Sequence, residues 1–170
     1  MFQVGDTVVY GTTGVCTVEG LTEKEIARVK KQYYVLRPIS QSNSAVYVPA
    51  DNEALLSKVR RILSPEEIGE VIRSALPEAR EWPENDVTRR EMFSAVLAKG
   101  DRKELLLMVR AIYRHQKELA AQGKRLHVAD ERLMKEANRL INEEIRVSLN
   151  IEPDEVEAYI AARIDAAEAE

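Results

Sequence analysis

Two hydrophobic periods divide the chain. In its first fifty residues the apolar positions come in short runs: Val8, Val9 and Tyr10; Val15, Cys16 and Val18; Tyr34, Val35 and Leu36; Ala45, Val46, Tyr47 and Val48. Punctuated by glycines and by Pro38, this pattern predicts strands at about 7–10, 14–20, 33–38 and 44–48, with a return near 55–59. Gly5 and Asp6 turn the chain into the first strand, and 11–14 is a tight link. The charged stretch 23–31 reads as a longer loop, and the polar run 40–44 closes a hairpin. Pro49 ends the last strand because it has no N–H to donate to a ladder.

From Ser64 onward the period becomes helical. The apolar stripes are Ile68, Val71 and Ile72; Met92, Phe93, Val96 and Leu97; Leu105, Met108, Val109, Ile112 and Tyr113; Leu133, Met134, Ala137, Leu140, Ile141 and Ile145; and Val156, Tyr159, Ile160 and Ile164. Ser64 is placed to cap the first of these helices, with Pro65 at its first position and Glu66 and Glu67 in its first turn. Gly100 with Asp101, the link 122–127, and Pro153 with Asp154 separate the later ones. The expectation is an α+β chain: residues 1–62 as a small, partly open, five-stranded β-barrel module of the Tudor-like kind, and residues 63–170 as an all-helical bundle of about five helices with an acidic end.

Composition narrows the function. The chain is 45% hydrophobic and 32% charged, so it should fold, and no apolar run is long enough to span a membrane. Cys16 is the sole cysteine and the N-terminus lacks a basic-then-apolar leader, which points to the cytoplasm. One cysteine with His115 and His127 makes no zinc set, and no cofactor is implied. Neither a phosphate-cradling loop nor a nucleophile with its base can be picked out, and the adjacent Glu143 and Glu144 read as solvated surface. An enzyme is the weakest reading.

The formal charge of −4 is unevenly spread: 151–170 sets seven acids against Arg163, whereas 99–125 sets eight bases against three acids. Bases at helical spacing commonly form a solvated face. Here Arg110, Arg114, Lys124 and Arg125, with the neighbouring pair Arg89 and Arg90, are candidate contacts to duplex phosphates. Trp82 is the only tryptophan and precedes Pro83, which forces extended backbone at a helix entrance. Its ring either covers a seam between the two parts or projects outward, where it can enter a minor groove as a wedge. Glu81, Glu84 and Asp86 would oppose phosphates there.

The ordering resembles the CarD-like bacterial transcription regulators, whose N-terminal module is shared with the polymerase-binding domain of the transcription-repair coupling factor. The resemblance rests on Phe2, Val4, Gly5, Asp6, Thr7, Val8, Val9, Tyr10 and Gly14, on Tyr34, Val35 and Leu36, and on Val46, Val48, Pro49, Ala50 and Asn52. In the second half Trp82, Arg89, Arg90, Gly100, Asp101, Arg110 and the run from Leu126 to Ile141 with Arg132, Met134, Lys135 and Ala137 fit, with 83–88 as a short insertion. The resemblance implies a non-enzymatic regulator, cytoplasmic and nucleoid-associated, whose front module binds the RNA polymerase β subunit by strand-on-strand docking through Lys24, Ile26, Val46, Tyr47, Val48 and Pro49. It further implies that Trp82, Arg89, Arg90, Arg110, Arg114, Lys124, Arg125 and Arg132 touch promoter DNA upstream of the bubble, in the minor groove and largely without sequence preference, stabilising the open complex. The alternative is a polymerase-tethered adaptor that binds another protein and makes no productive DNA contact. Oligomeric state stays open.

Overall fold

The computed structural model describes residues 1–168, apart from the side chains of Ile164, Asp165, Ala167 and Glu168; the expected apolar position Ile164 therefore lies outside the described residues. The chain forms two compact units, Met1–Ile62 and Leu63–Glu170.

The first unit contains β1 (Thr7–Tyr10), β2 (Gly14–Ile26), β3 (Val29–Pro38), β4 (Val46–Pro49), a short α1 (Glu53–Leu56) and β5 (Val59–Arg61). All pairings are antiparallel and the order is β4-β3-β2-β1-β5. β4 and β5 are the two edges, and no pairing between them closes a barrel among the described residues. The Gly5 N–H donates to the Val18 carbonyl at 2.8 Å and the Val18 N–H returns to the Asp6 carbonyl at 2.8 Å, which needs the left-handed φ of +90° that Gly5 supplies. One sheet face buries Val8, Cys16, Val18, Tyr34, Leu36 and Val48 together with Val59. Each such side chain withdrawn from water contributes about 1.5–3 kcal/mol, which is what holds so small a unit together.

The expected loop at 23–31 is instead the end of a long hairpin. β2 and β3 stay paired out to Ile26 opposite Val29, leaving only Ala27 and Arg28 to turn the chain, with φ of +53° and +63°. Two successive left-handed residues are what a tight hairpin turn requires, because that twist matches the strands. The segment's alternation of charged and apolar residues is compatible with a solvated arm. A bulge between Val18 and Gly20 resets the register, so that Lys24 and Ile26 share a face with Lys31 and Val29. The return expected near 55–59 is replaced by α1 and β5. Asn52 caps α1, its side-chain oxygen accepting from the Leu55 N–H at 3.0 Å.

The second unit contains α2 (Pro65–Ala75), α3 (Asp86–Lys99), α4 (Arg102–Ala121), α5 (Val128–Leu149) and α6 (Glu155–Glu168). Ser64 and Glu67 form a reciprocal capping box on α2. Gly100, at φ +68°, ends α3, and Asp101 immediately caps α4. Ile72, Phe93, Leu97, Met108, Ile112, Ala137 and Ile141 are central to the core. Two stripe positions were assigned too widely: Met92 and Tyr113 are each about half exposed. Glu143 and Glu144 correct the sequence reading in the other direction, being 8% and 5% exposed. Glu144 accepts two bonds from the Arg102 guanidinium, at 2.8 and 3.0 Å, and one from the Leu63 N–H at 3.0 Å. A carboxylate so partnered can be buried, which spacing alone does not reveal.

Candidate functional site

Two separate surfaces carry the residues singled out from the sequence. The first is the β4 edge. The Ala50 N–H donates inward to the Gln32 carbonyl at 2.9 Å, so alternation along the strand points the backbone of Val48 toward β3 and that of Tyr47 and Pro49 outward. Pro49 thus occupies a position where its missing N–H costs the sheet nothing. The free edge offers the Tyr47 N–H and the Tyr47 and Pro49 carbonyls, the groups an added strand would pair with.

Side chains on this unit sort by face. Val48 is fully buried, so its place in the expected interface reduces to backbone, whereas Val46 packs on the same core while only partly buried. Tyr47, Lys24 and Ile26 share the opposite face. The Lys24 ammonium sits over the Tyr47 ring, 3.4 Å from its centroid, reaching across β3 from β2. Ile26 and Val29, at the tip of the arm, are 56% and 52% exposed. Val29 was absent from the sequence-based set because its segment read as a loop.

The second surface surrounds Trp82, in the irregular link between α2 and α3. The indole does not stand clear of the protein. Partly buried against the helical core, it stacks on the His115 imidazole of α4 at 3.9 Å between centroids and 9° between planes, and meets Phe93 edge to face at 5.9 Å. The Arg89 guanidinium lies over it at 4.7 Å.

Arg89 is a correction to the expected phosphate contacts. Only 2% exposed, it makes a two-pronged pair with the fully buried Asp130 of α5, at 2.9 and 3.0 Å, and also donates to Asp86 at 2.7 Å and the Pro83 carbonyl at 3.0 Å. Its hydrogen bonds to Asp130 hold its pKa above the ordinary arginine value. The bond from Arg89 holds Asp86 below the ordinary carboxylate value, with the charges of His127 and Arg90 acting the same way. Arg89 stands four and eight residues before Phe93 and Leu97 on the buried stripe of α3, a spacing visible in the sequence. Arg110 is likewise occupied: its guanidinium donates to the carbonyls of Ala75, Leu76 and Glu78, closing the C-terminal end of α2.

Arg90, Arg114, Lys124, Arg125 and Arg132 are exposed. Arg90 follows the buried arginine, Arg114 precedes the stacked histidine, and the other three flank the start of α5 near Asp130. Each is thus adjacent in sequence to, or within six residues of, a residue that touches Trp82 or holds Arg89. With Arg89 buried and Arg110 holding the end of α2, these five are the exposed cations of the expected set.

The model for the CarD-like/TRCF RID domain matches residues 2–62, the span of the sheet unit. A Bacillus subtilis (strain 168) protein described as "Putative transcription factor YdeB" is 42% identical over 62 residues, covering 36% of this chain and 39% of that protein. The similarity to both lies in this N-terminal module. The match spans about two-fifths of that relative's length.

Proposed function

We propose that this protein is a transcription regulator that anchors its sheet unit to the β subunit of RNA polymerase and uses its helical unit to stabilise the open promoter complex. The observation that carries the reading is the match of residues 2–62 to a module shared by CarD-like proteins and the coupling factor, together with a free β4 edge inside it. An exposed edge with pockets for alternate side chains is a general means of adding a partner's strand. Tyr47, Lys24, Ile26 and Pro49 supply the exposed side of that contact, and Val46 and Val48 supply backbone.

The helical unit acts on DNA without chemistry. Arg90, Arg114, Lys124, Arg125 and Arg132 bind phosphates, and the indole lodges in the minor groove at the upstream edge of the bubble. The open state gains lifetime only to the extent that the protein binds it more tightly than the closed one.

The internal use of Arg89 and Arg110 favours a second reading, an adaptor bound to polymerase whose bundle contacts another protein. Salt titration of full-length protein on promoter duplex separates the two. Phosphate contacts give a slope of log K against log salt of about −0.9 per contact, so five cations predict a slope near −4 to −5, and a flat dependence favours the adaptor.

A further inference from the structure

We infer that His115 is the positioning residue for Trp82: the stacked imidazole fixes the plane in which the indole is presented to DNA. This rests on the reading of Trp82 as the DNA-facing wedge and adds to it a named support. Trp82 belongs to no helix or strand, so its backbone ladder does not orient it. Pro83 restrains its φ and ψ but leaves both side-chain torsions free. The ring is therefore oriented by what it touches: His115 in near-parallel stack, Phe93 at an edge and Arg89 over the ring.

These three supports are unequal. Phe93 and Arg89 are 6% and 2% exposed and belong to the core and to a buried ion pair, so removing either disturbs the fold as a whole. His115 is the least buried of the three, its side chain 22% exposed, with Nδ1 3.8 Å from the exposed Glu118. It can be exchanged without opening the core. The face it covers is closed to a nucleobase while the stack holds, so the indole meets DNA by its remaining surface in a preset orientation. An indole already ordered spares the complex the entropy of immobilising a side chain on binding.

The test uses full-length protein, polymerase and promoter DNA, comparing His115→Ala, His115→Phe, His115→Lys and Trp82→Ala. If the plane of the ring is what counts, His115→Ala shortens open-complex lifetime by roughly 2- to 10-fold, the range one aromatic contact supplies, and His115→Phe restores it. His115→Lys, which offers a cation and loses the plane, should behave like alanine. In free protein His115→Ala should also raise acrylamide quenching of the single tryptophan, with the helical circular dichroism of the folded state unchanged. A lifetime unaltered by His115→Ala when Trp82→Ala shortens it overturns the inference and leaves the wedge standing. Full activity of His115→Lys with loss in His115→Phe also overturns it, by making the residue a phosphate contact. No effect of Trp82→Ala removes the wedge itself and this support with it.

Discussion

The two units assemble their candidate surfaces in opposite ways. In the sheet unit the core and the exposed edge are independent: Val48 and Leu36 are fully buried on one face, and the outward backbone of Tyr47 and Pro49 is left over once β4 has paired with β3. In the helical unit the candidate residue and the core are the same object. Trp82 touches Arg89, Arg89 is held by Asp130, and Asp130 is wholly buried at the start of α5. An edge can therefore be altered without cost to its fold, whereas the indole inherits the stability of the ion pair behind it.

Breaking that pair gives the largest effect. Asp130→Ala leaves a buried guanidinium with one carboxylate and a carbonyl, and should destabilise the helical unit by about 3–5 kcal/mol. Urea unfolding followed by Trp82 emission reads this unit alone, since the sheet unit has no tryptophan. A shift below about 1 kcal/mol would mean that the indole does not depend on the pair.

The contrasting change in the sheet unit is Tyr47→Pro, which removes the outward N–H while β4 keeps its inward bonds. Affinity for polymerase should fall about 5- to 10-fold, the worth of one hydrogen bond of ~1 kcal/mol, with little change in the stability of the unit. Tyr47→Ala retains the N–H and separates the ring from the backbone. Equal affinity for the proline variant would exclude docking at this edge.

Smaller effects sharpen the comparison. Arg28→Gly should stabilise the β2–β3 arm by up to about 1 kcal/mol, because a left-handed position penalises any side chain and the arginine there is exposed. A denaturant melt of the sheet unit by far-ultraviolet signal checks it. At acid pH the helical unit should respond through Asp86. Its folded pKa lies below the ordinary value, so the stability it adds is complete above about pH 4 and lost as pH falls through the lowered value. Asp86→Asn should flatten that part of the acid profile; an unchanged profile would remove Asp86 as a contributor.

The strands at β1, β3 and β4 were legible in the sequence because one face of each is apolar and the chain alternates. The arm was not, since its alternation sets charged residues against Leu21, Ile26 and Val29 in solvent, and Ala27–Arg28 lacks the asparagine and glycine that usually mark so tight a turn. The start of α2 was legible from the cap chemistry of Ser64, and the break between α3 and α4 from Gly100 with Asp101. The environment of Trp82 was only half legible. The place of Arg89 on the stripe with Phe93 and Leu97 signals burial, but its partner Asp130 lies 41 residues away and His115 is 33 residues from Trp82, pairings that no local period encodes.

We propose that the sheet unit holds polymerase and that the helical unit prolongs strand opening through Trp82. The most direct measurement is the lifetime of heparin-challenged open complexes with full-length protein and with Trp82→Ala, at concentrations that saturate polymerase binding for both. A shorter lifetime for Trp82→Ala at unchanged polymerase affinity is the predicted result. Equal lifetimes, with both proteins bound, would contradict the account.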